Sequence, residues 1–209
     1  MTDFSKHRVD EFLSALGSPE PTPGGGTAAA VSGALGAALV EMVTALTLSR
    51  EKFAEAHPAM RVIAEAASAA RAEMLVLARE DALSYEAVVA ARRLPKGTEE
   101  EKSARSRAIA EANRVATEVP MRTARAAVRL LAALPELVEK GNPSAASDAG
   151  TAALLLEATT AAALLNVGIN LPGVQDPAFM AQMNRETADL QEEAQRLRSK
   201  VLASVRKKF

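Results

Sequence analysis

Residues 24–40 and 149–167 hold one ionisable side chain between them, Glu157. Both runs are made of Ala, Gly, Leu and Val with a few Thr, Ser and Asn. A helix that is apolar nearly all round must find neighbours on most of its sides. A membrane span competes for the first run, but it is short and rich in Ala and Gly, with few large apolar residues. It is read instead as a central buried helix. Gly25, Ala29, Gly33 and Ala37 recur every four residues along it, and such a stripe suits close approach of another helix. A lone bundle can enclose one helix of this kind and hardly two. The expectation is an all-α, multihelical bundle with two buried Ala-rich helices, assembled as a homodimer or a multiple of dimers.

Around these two runs the punctuation marks four more helical segments and no strand, within one domain spanning residues 1–209. Residues 5–16 are amphipathic through Phe4, Val9, Phe12, Leu13 and Leu16. Gly17 ends them, and Pro19, Pro21 and Pro23 enforce an extended link. The first apolar run continues as a helix to about residue 50. The next helix follows His57-Pro58 and reaches residue 93, where Leu94-Pro95-Lys96-Gly97 stops it. Thr98 with Glu101 three positions on reads as a capping box. The helix it opens is expected to kink or break at Pro120, with a continuation to residue 134. Asn142-Pro143 opens the second apolar helix, and Asp176-Pro177 opens a charged, amphipathic last one.

Several classes of function are closed by the residue inventory. The sequence has no Cys, which excludes disulfides, thiolate nucleophiles and Cys-ligated zinc and fits a reducing, cytoplasmic setting. His7 and His57 are far apart and in no metal-binding spacing. A net charge of −1 gives no overall field for nucleic acid. The polar N-terminus is unlike a signal peptide. Neither a nucleic acid nor a membrane is expected as a partner.

Asp81 is the acid that stands out. Met74, Leu77, Ala78, Tyr85 and Val88 share its helical face. A carboxyl within an apolar stripe is desolvated, its pKa rises, and it can exchange a proton near neutrality. The plainer alternative is an acid at the stripe edge paired with Arg79. A second signal is a thin polar line on the second apolar helix. At 100° per residue Asp148 and Asn166 point the same way, Asn170 lies about 40° off, and Thr159 falls between. These groups need a ligand or an internal network. Gly24, Gly25, Gly26 and Thr27 precede a helix whose N-terminal N–H groups favour a polar or anionic ligand. Arg50 with Lys52, and Arg92 and Arg93 with Lys96, gather at helix ends, where cations either complement the dipole or hold an anionic tail.

Four motifs occur in order: Pro-Thr-Pro-Gly-Gly-Gly-Thr-Ala-Ala-Ala from Pro21, Arg93-Leu94-Pro95-Lys96, Gly141-Asn142-Pro143 through Ser147-Asp148, and Asn166-Val167-Gly168-Ile169-Asn170-Leu171. Together they resemble the cyclodeaminase domain of formiminotransferase-cyclodeaminase and its stand-alone bacterial relatives, some of which are methenyltetrahydrofolate cyclohydrolases. The resemblance spans about residues 5–205. It implies an all-α homodimer acting on tetrahydrofolate one-carbon adducts, with the catalytic acid in the helix before the Arg-Leu-Pro-Lys turn, here Asp81. The chain departs from the family at Thr47-Leu48-Ser49-Arg50, where many members have Gly before the basic residue, and at Thr27, where Ser is common.

On that resemblance the expected reaction is cyclodeamination of 5-formimino-tetrahydrofolate to 5,10-methenyl-tetrahydrofolate and ammonia. Asp81 supplies the general acid and base, with no cofactor beyond the folate substrate and no metal. Arg50, Lys52 and Lys96 are candidates for the glutamate tail; Gly24, Gly25, Gly26, Thr27, Asp148, Asn166 and Asn170 are candidates for the pterin edge, and Tyr85 is a further substrate-binding candidate. Cyclohydrolysis of the methenyl adduct is the alternative on the same fold. A non-catalytic helical protein that binds folate or only self-associates is the alternative of another class.

Overall fold

The computed structural model describes residues 7–208; Phe4 and Ser5, placed in the first helix by the sequence, lie outside them. Seven α-helices follow in order: α1 (Val9–Leu16), α2 (Gly25–Leu48), α3 (His57–Arg92), α4 (Glu99–Leu131), α5 (Leu134–Lys140), α6 (Ala146–Asn170) and α7 (Pro177–Arg206). No strand occurs among the described residues. A 3-10 stretch, Glu51–Ala56, joins α2 to α3. The short α5 is additional to the six segments expected. Asn142 does act as a cap, but of the 3-10 turn Pro143–Ala145, where its Oδ1 accepts from the Ser144 N–H at 3.1 Å. The caps at Thr98 and Asp176 form as the sequence predicts: Thr98 Oγ1 accepts from Glu101 N, and Asp176 Oδ1 accepts from Phe179 N.

Helix α2 packs against α3 and α6, α4 packs against the same two, and α7 lies across α6 and α4. The glycine stripe of α2 makes the closeness possible. A Cβ on Gly33 would stand 2.5 Å from Met74 Sδ of α3 and 2.9 Å from Thr159 Cγ2 of α6. One on Gly36 would stand 3.1 Å from Leu156 Cγ. The stripe is therefore engaged inside the chain and is not the face available to a second copy.

Both apolar helices keep an outward face that their own chain leaves open, in line with the expectation that one bundle can hardly enclose two. On α2, Leu35, Met42 and Leu46 are exposed, and on α6, Leu154, Leu165 and Ile169 are, the last two at 76% and 78%. Both helices are long and apolar enough to cross a membrane, yet their inward faces form the core, around Ala37, Val40, Ala149, Ala153 and Leu156. One expectation needs correction: of the kink or break expected at Pro120 the break does not form, and the helix continues through it. The proline is buried inside α4, which runs unbroken from Glu99 to Leu131. Proline has no N–H for the carbonyl four residues back, that of Ala116. Asn170 of α6 supplies the missing donor, its Nδ2 donating to Ala116 O at 2.7 Å. A neighbouring helix thus completes the ladder that the proline interrupts.

Candidate active site

Leu77 and Ala78, one turn before Asp81, pack with Ala30 of α2 and Val119 of α4 in a small buried cluster. Asp81 stands above that floor, at the N-terminus of α2. The cap position of α2, Gly24, offers no side-chain acceptor. The Asp81 carboxyl takes that place from another helix. Its Oδ2 accepts from Thr27 Oγ1 at 2.9 Å, and the Thr27 backbone N–H also donates to it. Gly26 is required by this approach, because a Cβ there would overlap Asp81 Oδ1 and lie 2.6 Å from Cγ. The close neighbour that a glycine-rich loop implies is the acid itself.

Burial raises the Asp81 pKa above the ordinary carboxylate value; the hydrogen bonds from the Thr27 hydroxyl and N–H oppose that rise without cancelling it. Among the described residues Asp81 has no ion pair, and Arg79 lines a separate cavity. The edge-of-stripe alternative, a salt bridge to Arg79, is not what forms.

A cavity of about 350 Å³ opens beside Asp81. Gly24, Gly25, Gly26, Tyr85, Asn166 and Asn170 all line it, from α2, α3 and α6. These are seven of the twelve candidates from the sequence once Asp81 is counted. Thr27 is fully buried behind the acid and holds it. The other four lie elsewhere in the chain. Arg50 and Lys52 follow the far end of α2, whose 24 residues at ~1.5 Å each put them about 36 Å from the glycines. Lys52 rests over the Phe53 ring, 4.9 Å from its centroid. Asp148 is at the opposite end of α6 from Asn166, since helical phase alone says nothing about distance along the axis. Lys96 is in the exposed turn after α3.

The sequence passed over Asn113 of α4, which is buried and lines the cavity, as do Ser84 and Val88 of α3. Arg92, grouped by sequence only with a cluster of cations, is the basic residue that reaches the cavity wall. A signal for Asn113 existed: it is a polar residue seven positions, two turns, before a helix-interior proline. Thr159, on the polar line of α6, is buried with no hydrogen-bond partner for its Oγ1 among the described residues.

The formiminotransferase-cyclodeaminase profile matches residues 8–189. The chain belongs to that family. It is 38% identical over 200 residues to a methenyltetrahydrofolate cyclohydrolase of Methylorubrum extorquens, covering 96% of both chains. It is 39% identical over 183 residues to the formimidoyltransferase-cyclodeaminase of Sus scrofa, of which it spans 34%. Among solved structures, formiminotetrahydrofolate cyclodeaminase of Thermotoga maritima superposes with a TM-score of 0.87 at 30% identity, over 97% of each chain. These relatives carry two reaction names, cyclohydrolase and cyclodeaminase, and the Methylorubrum and Thermotoga proteins are both named for tetrahydrofolate substrates. The all-α fold expected from the sequence is the family fold.

Proposed function

We propose that the cavity beside Asp81 binds a tetrahydrofolate one-carbon adduct and that the chain is a methenyltetrahydrofolate cyclohydrolase. The observation that carries the chemistry is a carboxyl of raised pKa, fixed by a helix N-terminus at the wall of a cavity lined by polar groups. The choice of cyclohydrolase over the cyclodeaminase expected from sequence rests on the end-to-end similarity to the Methylorubrum enzyme. In this reaction water adds to the carbon between N5 and N10. Asp81 as carboxylate takes the proton from that water. The tetrahedral adduct then breaks its bond to N5, and Asp81 returns the proton to the departing amine. The product is 10-formyl-tetrahydrofolate, and the positive charge of the methenyl group leaves as a proton.

Cyclodeamination is the second reading, favoured by the likeness to the Thermotoga structure. There N10 attacks the formimino carbon and Asp81 protonates the departing ammonia. The two need the same alignment and the same acid–base group. Arg92 is positioned for the glutamate carboxylate, and Lys96, four residues on, for a longer anionic tail. Arg50, Lys52 and Asp148 have no role at this cavity within one chain. The same proposal includes assembly in pairs, with Leu35, Met42 and Leu46 of α2 and Leu154, Leu165 and Ile169 of α6 covered by a second copy, and work in the cytoplasm without a metal.

The test mixes purified protein and a chelator with 5,10-methenyl-tetrahydrofolate and follows the loss of methenyl absorbance. A parallel reaction with 5-formimino-tetrahydrofolate follows ammonia. Acceleration of the first reaction supports cyclohydrolysis. Acceleration of the second alone replaces it with cyclodeamination. No acceleration of either above the spontaneous rate removes the catalytic reading.

A further inference from the structure

Three asparagines line the cavity, and each donates one amide N–H to a backbone carbonyl. Asn113 Nδ2 donates to Ile109 O at 2.7 Å, Asn166 Nδ2 to Ala162 O at 2.9 Å, and Asn170 Nδ2 to Ala116 O at 2.7 Å. All three partners are backbone carbonyls, which only accept. The NH₂ end of each side chain must therefore face the backbone, and an amide flip would set oxygen against oxygen. Among the described residues none of the three Oδ1 atoms has a hydrogen-bond partner, and none is sealed from solvent as Thr159 Oγ1 is. The orientation of the three amides is fixed: each presents its Oδ1 as an open acceptor, with one N–H left over on its Nδ2.

We infer that Asn113, Asn166 and Asn170 form a fixed acceptor array that selects the N–H-rich edge of the substrate. This rests on the folate reading above and states which part of the molecule the wall recognises. A reduced pterin carries its donors as the 2-amino group, N3–H and N8–H, all distinct from the reacting N5 and N10. A wall of carbonyl oxygens matches those donors and repels a ring that presents lone pairs there. Two walls then divide the work. Asp81 with the α2 N-terminus serves the reacting carbon, and the asparagines from α4 and α6 hold the ring. The array is stiff because each side chain is tied at its nitrogen. Asn113 is further confined by Gly173, where a Cβ would stand 2.6 Å from its Nδ2.

The experiment compares binding of 5-formyl-tetrahydrofolate and its 2-desamino-2-methyl counterpart by calorimetry. Asn113→Ala, Asn166→Ala and the double variant are compared with the unaltered protein. The Nδ2 bonds of both residues go to carbonyls four positions back on their own helix, so truncation leaves the backbone ladder intact. Asn170 is left unchanged because Ala116 depends on it. The unaltered protein should prefer the 2-amino compound by about tenfold or more, the worth of one well-made hydrogen bond to a site that needs it. The preference should fall toward unity in the double variant, with circular dichroism unchanged. Equal weakening of both ligands, leaving the ratio as it was, would overturn the array while leaving the folate reading standing. Failure of the folded, unaltered protein to bind either compound would overturn the folate reading and the array together.

Discussion

Gly26→Ala separates a glycine that shapes a loop from one that makes room for a catalytic group. Its φ is not in the left-handed region, so the backbone tolerates alanine. Helix propensity favours the change by up to about 1 kcal/mol. Space does not. The new Cβ would overlap Asp81 Oδ1 and lie 2.6 Å from Cγ and 2.8 Å from Oδ2. Carbon pairs in a packed interior sit near 3.5–4.0 Å, so the carboxyl must retreat by about 1 Å. That retreat draws Oδ2 away from Thr27. A misplacement of ~1 Å at a reacting group can cost about 10²-fold in rate. Gly150 of α6 is the internal control: it does not line the cavity, and a Cβ there meets Val205 at an ordinary 3.5 Å. Methenyl absorbance gives the rates, and thermal unfolding checks the fold. The expected result is a loss near 10²-fold for Gly26→Ala and a small change for Gly150→Ala, with both proteins folded. Equal rates in the two variants would refute the placement of Asp81 against α2.

Asp81→Asn should lose about 10²–10⁴-fold in turnover and gain thermal stability at neutral pH. The folded-state pKa of Asp81 is raised, so its contribution to stability is greatest at low pH and is lost as pH rises through that pKa; the melting advantage of the variant should accordingly shrink as the buffer is acidified toward the ordinary Asp range. Asn170→Ala should cost about 1–3 kcal/mol by leaving Ala116 O unpaired, and Pro120→Ala should recover part of that loss by restoring a backbone N–H, read as coupling in a denaturation cycle. Leu35→Glu with Leu165→Glu changes only residues exposed in the single chain, and light scattering should show half the mass of the unaltered protein with the same helical content. Arg92→Gln should raise KM for a folate with its glutamate tail and leave kcat nearly unchanged, whereas Arg50→Gln should change neither constant in steady-state assays.

Periodicity and capping made the helices legible. Apolar runs, proline links and the caps at Thr98 and Asp176 fixed most boundaries because those are local effects. Asp81 was legible for the same reason: an acid among Leu77, Ala78 and Val88 is out of place on a helical face. What was not legible depends on distance along an axis. Asp148 and Asn166 share a phase, yet 18 residues of helix separate them, so only Asn166 reaches the cavity. Arg50 and Lys52 failed for the same reason. The break allowed for at Pro120 does not form, because a side chain from another helix, Asn170, supplies the donor that the proline lacks, and local chemistry carries no sign of that. Asn113 went unnoticed because its use follows from what surrounds it on α4, α6 and the turn at Gly173.

The position of Asp81 also bears on how one group can act in both directions. A base strong enough to take a proton from water, yet acidic enough to return it to an amine, needs a pKa displaced toward neutrality. Burial over Leu77, Ala78, Ala30 and Val119 displaces it upward. The Thr27 hydroxyl and N–H supply the opposing pull, and both come from the first turn of α2, where the helix dipole favours negative charge. Attack of water and departure of ammonia then differ in which proton moves first, not in which residue moves it. A framework that sets the pKa through backbone geometry serves either order of steps, so what divides the two reactions has to be sought in the walls that hold the substrate.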